Sequence, residues 1–182
     1  MRKLTAGLFM SVDGVVEAPN LWQFDAFDEQ LGAELSGVLG RVDTVLLGRV
    51  GYQEWSGYWT TAGHDDPFGG FINPVQKYVA STTLTGDLGW QNSSLIEGDL
   101  AAFVTELKQG DGGEIAAMGG ITIVRELFFA GLLDELTLLT HPVVAGGGRH
   151  LFDPSDQTTR LTLIDSYRTA KGNVVSRYAK AE

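Results

Sequence analysis

Two segments constrain the fold of this chain more than any other feature. In each, a buried strand passes through glycine directly into a helix. Thr44-Val45-Leu46-Leu47 leads into Gly48-Arg49, and the apolar residues 114–118 lead into Gly119-Gly120. After the second join, apolar side chains keep helical spacing as far as Gly131, at Ile121, Val124, Leu127 and Phe128. Strands that pass directly into helices are typical of α/β proteins with a largely parallel sheet.

The remaining pattern continues this alternation and then changes near the C-terminus. Further strands are predicted at residues 4–10, 77–81 and 94–96, and further helices at residues 28–40, 50–58 and 100–107. Residues 60–73, with their glycines and Pro67, predict a loop. Three last strands, at 136–144, 161–167 and 174–178, follow without a helix between them, which indicates antiparallel pairing. We therefore expect an α/β three-layer fold with a central mixed, mostly parallel sheet, an antiparallel C-terminal part and helices on both faces.

Composition excludes several classes of partner. Among 182 residues, 23 are acidic and 13 are Lys or Arg, and the net charge of −10 would repel nucleic acid and anionic membranes. The chain has no cysteine, which fits a reducing compartment, and the first apolar stretch is broken too soon for a secretory signal. We predict a single cytoplasmic domain over residues 1–182.

The two glycine joins are candidate anion sites. A helix that begins at Gly48-Arg49 or at Gly119-Gly120 presents unpaired backbone N–H groups and the positive end of its dipole. Two such sites suggest a ligand with a diphosphate, although glycines of this kind also serve simply as tight turns. Ser81 and Thr82 end another strand with hydroxyls, which either hold a phosphate or ribose or cap a turn.

Acidic residues among aromatic side chains give a candidate for proton transfer. Asp25 and Asp28 lie in the segment that runs from Trp22 to Glu29, where aromatic neighbours are expected to raise a carboxyl pKa. Asp28 is also a good helix N-cap, so Asp25 is the freer candidate.

The remaining polar candidates are weaker. The three histidines show no metal-ligand spacing. His64 is adjacent to Asp65 and Asp66, but a solvated loop is the preferred interpretation, and we predict no metal. The segment Gly146-Gly147-Gly148-Arg149 is either a third phosphate site or a turn between strands.

With these positions in hand, the chain resembles the dihydrofolate reductase-like superfamily. It is most similar to free-standing relatives of the C-terminal reductase domain of the bifunctional riboflavin-synthesis deaminase-reductase. The resemblance is carried in order by Ser11-Val12-Asp13-Gly14, residues 44–49, residues 77–84, Met118-Gly119-Gly120, residues 131–136 and residues 141–152.

The resemblance implies NADPH as the cofactor, a small heterocyclic substrate and a homodimer. It assigns Gly48 and Arg49 to the adenosine-side phosphates and Ser81 and Thr82 to the ribose phosphate. It assigns the diphosphate to Gly119, Gly120, Ile121 and Thr122. The proton would come from Asp25 or from a bound water.

Three positions depart from the family pattern. Gly51 replaces a common Thr, and Met118 replaces the Glu of riboflavin reductases, while the acid that binds pterin in folate reductases has no secure match. Both a riboflavin-precursor pyrimidine and dihydrofolate therefore stay open as substrates. The alternative is a dimeric module that binds NADPH without turnover.

Overall fold

Apart from one additional helix, α3, the strands and helices follow the order that the sequence predicts. The computed structural model describes residues 1–61 and 66–181. The strands are β1 (Leu4–Ser11), β2 (Val42–Gly48), β3 (Gln76–Ala80), β4 (Ser93–Leu95), β5 (Glu114–Met118), β6 (Glu135–His141), β7 (Leu161–Arg168) and β8 (Val174–Lys180). The helices are α1 (Glu29–Leu39), α2 (Arg49–Trp59), α3 (Pro67–Ile72), α4 (Leu100–Gln109) and α5 (Ile121–Phe129). Two short 3₁₀ helices, Pro19–Leu21 and Phe24–Ala26, precede α1.

The sheet is mixed, and its strand order is β4-β3-β2-β5-β1-β6-β8-β7. Strand β2 pairs in parallel with β3 and β5, and β1 pairs in parallel with β6. Strand β8 is antiparallel to both β6 and β7. The predicted fold class, a mostly parallel sheet with an antiparallel C-terminal part and helices around it, is confirmed. Among the described helices, none is long and apolar enough to cross a bilayer.

The chain divides into two compact units. Unit 1 comprises Met1–Leu4 and Arg41–Leu132, and unit 2 comprises Thr5–Gly40 and Leu133–Glu182. In unit 1, Val45, Leu46 and Leu47 of β2 are all completely buried. This continuous apolar run is typical of a parallel strand covered on both faces, and it holds the end of β2 in a fixed position.

In unit 2, helix α1 packs on the sheet through a small apolar core. Leu31 of α1 contacts Leu139 of β6 and Val175 of β8, and each of the three is at most 2% exposed. Beside this core, Arg177 donates to Glu34 (2.5 Å) and to Asp165 (2.7 Å), which links α1 to the antiparallel strands.

One stretch of the predicted loop is a helix. Residues 60–73 include α3, which begins because Asp66 accepts hydrogen bonds from the N–H groups of Phe68 and Gly69. Pro67 occupies the first helical turn, where its missing N–H costs nothing. An Asp-Pro pair before apolar residues is a helix-start signal that outweighs the glycines behind it. Residues 62–65, which include His64 and Asp65, lie outside the described part of the chain.

A buried lysine hydrogen-bonds the backbone carbonyls at the end of α3 and in the turn that follows it. Lys77 is completely buried, and its Nζ donates to the carbonyls of Ile72 (2.9 Å), Asn73 (3.0 Å) and Val75 (2.7 Å). Its ammonium lies 4.7 Å from the ring centre of Trp90. Burial lowers the pKa of Lys77 to about 8, and the three carbonyls favour the protonated form, so the lysine is charged at neutral pH.

The close packing of α2 on the β5–α5 turn gives the first prediction. A Cβ built on Gly51 would overlap the Gly119 carbonyl oxygen and lie 2.6 Å from its carbon, whereas one on Gly57 of the same helix meets nothing within 4 Å. We expect Gly51→Ala to lower the free energy of unfolding by about 1–3 kcal/mol. Gly57→Ala should raise it by about 0.5–1 kcal/mol, because alanine favours the helix. Urea unfolding measures both, and equal effects of the two substitutions would contradict this packing.

Candidate functional site

The strand ends in unit 1 bring three predicted cofactor segments to one edge of the sheet. Gly48 is the register partner of Ala80, and Leu47 is the partner of Met118. Strands β3, β2 and β5 are parallel neighbours, so Gly48-Arg49, Ser81-Thr82 and Gly119-Gly120 all follow at their carboxyl ends. In α/β sheets this edge is the usual place for ligands.

The helices that begin at this edge differ from the other helices in how they are capped. Asp28, Asp66 and Asp99 cap α1, α3 and α4, and each accepts a hydrogen bond from backbone N–H groups of its own helix. Helices α2 and α5 begin after Gly48 and Gly120, and neither has a side-chain cap. In neither helix, therefore, does the residue before the first turn supply a side-chain acceptor for the first-turn N–H groups.

The backbone between β5 and α5 requires glycine. Gly119 has a φ of +64°, and a Cβ there would lie 3.1 Å from Leu47 and 3.2 Å from Trp55. Gly120 is extended, with a φ of −173°, and a Cβ there would meet only Ile123, at 3.6 Å. The backbone at the start of α5 is therefore not covered by a side chain, and the N-terminus of α2 lies beside it. Such an arrangement fits a ligand with several phosphate groups.

The side chains around this turn differ in how much they can offer a ligand. Arg49 is exposed, and its guanidinium donates to Gln53 one turn further along α2 (2.9 Å). The hydroxyl oxygen of Ser81 accepts from the N–H groups of Thr83 (3.2 Å) and Leu84 (2.9 Å), so it caps the turn after β3. Ile121 is 9% exposed, so it can offer a ligand little except its backbone N–H.

Thr82 and Thr122 are both exposed and follow β3 and Gly120, respectively. Thr82 lies two residues beyond the end of β3, and Thr122 is the second residue of α5. No cluster of three or more potential metal ligands occurs in the described ranges 1–61 and 66–181.

In unit 2, the glycine-rich loop is held by carboxylates of the chain itself. Asp13 accepts hydrogen bonds from the N–H groups of Ala145 (2.9 Å) and Gly146 (2.8 Å), and Glu17 accepts from the N–H of Arg149 (3.1 Å). These carboxylates already accept hydrogen bonds from the backbone N–H groups that a phosphate would need. Of the two interpretations of residues 146–149, the geometry favours the turn.

Hydrogen bonding keeps the Asp13 carboxylate ionised. The Ser11 hydroxyl is the main cause, with the two backbone donors next, and together they lower the pKa of Asp13 to about 2. The carboxylate therefore stabilises the folded loop at every pH well above that value.

The two acidic candidates before α1 have different roles. Asp28 caps α1 through Leu31 (2.9 Å) and also accepts from the N–H of Lys171 (2.9 Å). The Thr169 hydroxyl is the largest influence on its pKa, which is lowered. The expectation that aromatic neighbours raise the carboxyl pKa is therefore wrong for Asp28, because the carboxylate serves as a hydrogen-bond acceptor.

Asp25 lies in the 3₁₀ helix Phe24–Ala26 and is exposed. Its backbone carbonyl accepts from Lys171 Nζ, and the neighbouring Ala26 carbonyl accepts from Asn173 (2.6 Å). The turn after β7 thus holds the backbone that carries Asp25, while the Asp25 carboxylate remains accessible.

The structure pairs a buried histidine, His141, with Gln23, and the sequence does not predict this contact. His141 is completely buried at the end of β6, and the Gln23 amide donates to its Nε2 (2.7 Å). Its Nδ1 donates to the Leu139 carbonyl (3.0 Å), and the rings of Phe9 and Trp22 meet it edge-on. Burial lowers the pKa of His141, so it is neutral at pH 7 and orients Gln23. An isolated His after an apolar strand gives no sequence signal for this pair.

The family-model comparison matches residues 2–175 to the RibD C-terminal domain. This chain belongs to the RibD C-terminal domain family. The Bacillus subtilis (strain 168) protein YyaP, which is itself uncharacterized, is 29% identical over 181 residues, covering 96% of this chain and 92% of YyaP. The dihydrofolate reductase-like resemblance drawn from the sequence is thereby confirmed at the family level.

Solved structures agree with the fold. A protein from Shewanella sp. PV-4 that is described as a riboflavin biosynthesis protein superimposes with a TM-score of 0.78 at 20% identity, covering 99% of each chain. A pyrimidine reductase-like protein from Corynebacterium diphtheriae gives a TM-score of 0.70 at 16% identity, covering 100% of this chain and 92% of its own.

The Asp13 contacts predict how stability depends on pH. Because the pKa of Asp13 is depressed in the folded state, its stabilising effect is present above about pH 4. It is lost as the pH falls through the folded-state value of about 2. We expect Asp13→Asn to lower the thermal midpoint at pH 7 and the gap to the unmodified protein to close between pH 4 and pH 2. Asp87→Asn, at an exposed position of unit 1, is the control, and a gap that stays constant with pH would refute this role for Asp13.

Proposed function

We propose that this protein is an NADPH-dependent reductase of a small heterocyclic compound, with a riboflavin-precursor pyrimidine as the first candidate substrate. The observation that carries the proposal is the pair of adjacent helix N-termini that begin after Gly48 and Gly120 without side-chain caps. Membership of the RibD C-terminal domain family supports a reductase with this fold. When bound, NADPH supplies the hydride that such a reduction needs.

The residues of unit 1 fit the phosphates of such a cofactor. Under this proposal, Gly48 and Arg49 bind the adenosine-side phosphates, and Ser81 and Thr82 bind the ribose phosphate. The N–H groups of the second turn bind the diphosphate, at Gly119, Gly120, Ile121 and Thr122. Because Ser81 Oγ already accepts two backbone hydrogen bonds, its part is to donate its hydroxyl hydrogen.

Unit 2 supplies the candidate for proton transfer. Asp25 is exposed on a backbone held by Lys171 and Asn173, and Asp28 is committed to capping α1. Asp25, or a water bound there, would deliver the proton that completes the reduction. Dihydrofolate stays a second candidate substrate, and the homodimer implied by the family resemblance stays a prediction.

The cofactor proposal is tested by a substitution that leaves the turn able to fold. We expect Gly120→Ala to weaken NADPH binding by about tenfold, because the methyl group blocks close approach to the helix N-terminus. The protein should remain folded, since Gly120 is extended and its added Cβ meets only Ile123. Gly57→Ala in α2 is the matched control.

The readout is the rise in thermal midpoint with NADPH. At one hundred times the Kd, a ligand stabilises the fold by about 2.7 kcal/mol, which such a measurement resolves easily. No rise for the unmodified protein with either NADPH or NADH would refute the cofactor proposal. An equal rise in thermal midpoint for Gly120→Ala and Gly57→Ala would show that Gly120 is not part of the cofactor site.

Turnover is tested separately, by following NADPH oxidation with the riboflavin-precursor pyrimidine and with dihydrofolate. We expect Asp25→Asn to slow the reaction about 10²–10⁴-fold while the NADPH-induced rise in thermal midpoint is unchanged, because a positioned acid contributes on that scale. Glu29→Gln, at an exposed carboxylate beside the same segment, is the control. An unchanged rate for Asp25→Asn would assign the proton to water. Cofactor binding without oxidation of NADPH by any substrate would favour the module without turnover.

A further inference from the structure

The short 3₁₀ helix that carries Asp25 has a backbone conformation that it would not keep by itself. Within this helix, Phe24–Ala26, none of the residues is buried, and the Ala26 N–H donates to the Gln23 carbonyl (3.0 Å). Phe24 has a φ of +39°, in the left-handed region that an aromatic residue rarely adopts, and it is 76% exposed. Strained backbone of this kind persists only where its surroundings hold it in place.

The C-terminal end of the 3₁₀ helix is held by the turn that joins β7 to β8. Asn173 is completely buried, and its Nδ2 donates to the Ala26 carbonyl (2.6 Å) and to the Thr169 hydroxyl (3.0 Å). Lys171 Nζ donates to the Asp25 carbonyl. Both contacts to the helix are made to its backbone, so neither engages the Asp25 carboxylate.

The N-terminal end of the helix is held through the side chain of Gln23. The backbone N–H of Gln23 donates to the Pro19 carbonyl (2.8 Å), and its side-chain Nε2 lies 2.7 Å from Nε2 of His141. Gln23 is half-buried, whereas His141 is completely buried between the edge-on rings of Phe9 and Trp22. Gln23 therefore connects the exposed 3₁₀ helix directly to the end of β6.

The other ring nitrogen of His141 sets the direction of this hydrogen bond. Nδ1 lies 3.0 Å from the Leu139 carbonyl, which can only accept, so Nδ1 carries the proton. In the neutral ring Nε2 is then an acceptor, and the Gln23 amide is its donor. Burial lowers the pKa of His141 and keeps the ring neutral, and the nearby Asp28 carboxylate, which favours the protonated ring, has the smaller effect.

We propose that His141 is a positioning residue, whose neutral, Nδ1-protonated ring fixes the 3₁₀ helix that presents Asp25 by accepting a hydrogen bond from Gln23. His141 acts through Gln23, because it is completely buried itself. Proton delivery requires the Asp25 carboxylate within hydrogen-bond reach of the reacting atom, and a displacement of about 1 Å can cost ~10²-fold in rate. The catalytic consequence rests on the function proposed above, whereas the ordering of the helix by His141 does not.

The hydrogen bond itself is tested on the unmodified full chain, by nitrogen NMR of the histidine rings without NADPH. We expect the ring of His141 at pH 7 to be protonated at Nδ1 and unprotonated at Nε2. The signals that disappear in His141→Gln identify this ring among the three histidines. A ring protonated at Nε2, or at both nitrogens, would overturn the proposal.

Amide hydrogen exchange at Ala26 then measures whether the pair orders the helix. We expect His141→Leu to speed this exchange about tenfold, because it removes the acceptor of the Gln23 amide. His141→Gln should keep the exchange slow, since its amide oxygen can accept from Gln23 in place of Nε2. Gln23→Leu leaves His141 in the core and should match His141→Leu. Exchange as slow in Gln23→Leu as in the unmodified protein would overturn the proposal.

The catalytic consequence is read from NADPH oxidation by the same variants. We expect His141→Leu and Gln23→Leu to lower kcat about tenfold with an unchanged KM for NADPH, because the helix is displaced while the cofactor site in unit 1 is not. His141→Gln should restore most of kcat, and His150→Gln, at an exposed histidine of the glycine-rich loop, should not lower it. An equal fall in kcat for His141→Leu and His141→Gln would overturn the positioning role.

Failure here and failure of the reductase proposal give different results. Unchanged Ala26 exchange in Gln23→Leu, in a protein whose thermal midpoint still rises with NADPH, would overturn the role of His141 alone. Faster Ala26 exchange in Gln23→Leu, in a protein on which NADPH has no effect, would support the ordering of the helix and refute the cofactor.

Discussion

The contact between α2 and the β5–α5 turn is the constraint on which the candidate cofactor site depends. Gly51 lies so close to the Gly119 carbonyl that no side chain fits between them. The contact fixes the first turn of α2 against the residues from which α5 begins, so that two helix N-termini open side by side. In this chain a Cβ at position 51 would overlap the Gly119 carbonyl oxygen, so packing requires the glycine there.

The two units treat backbone N–H groups at strand ends in opposite ways. In unit 1, the helices that follow β2 and β5 begin after glycine and have no side-chain cap. In unit 2, Asp13 and Glu17 satisfy the donors of the glycine-rich loop from within the chain. The same residue type, glycine after a strand, thus precedes an uncapped helix in one place and forms an internally satisfied turn in the other. What separates them is the presence of a carboxylate within reach.

This difference shows what the sequence could predict and what it could not. The order of strands and helices followed from apolar periodicity, and the parallel-to-antiparallel change followed from the missing helices after β6. The sequence does not predict α3, because glycines at positions 69 and 70 are typical of a loop although Asp66-Pro67 is a helix-start signal. Asp13 pairs with Ala145 and Gly146 across more than 130 residues of chain, and no local pattern contains that contact. The Gln23–His141 pair depends on the fold in the same way, since the two residues are 118 positions apart.

The pKa values of Asp13 and Asp28 in unit 2 follow from the hydrogen-bond donors that reach each carboxylate rather than from the neighbouring residues in the sequence. Asp28 is among aromatic residues, yet the Thr169 hydroxyl and backbone N–H groups lower its pKa. Asp13 is in an ordinary turn sequence, yet the Ser11 hydroxyl and two loop N–H groups hold its pKa near 2. Both carboxylates are acceptors committed to structure, and a group that is committed in this way is a poor proton donor at neutral pH. The same reasoning leaves Asp25, whose side chain is exposed, as the candidate for proton transfer.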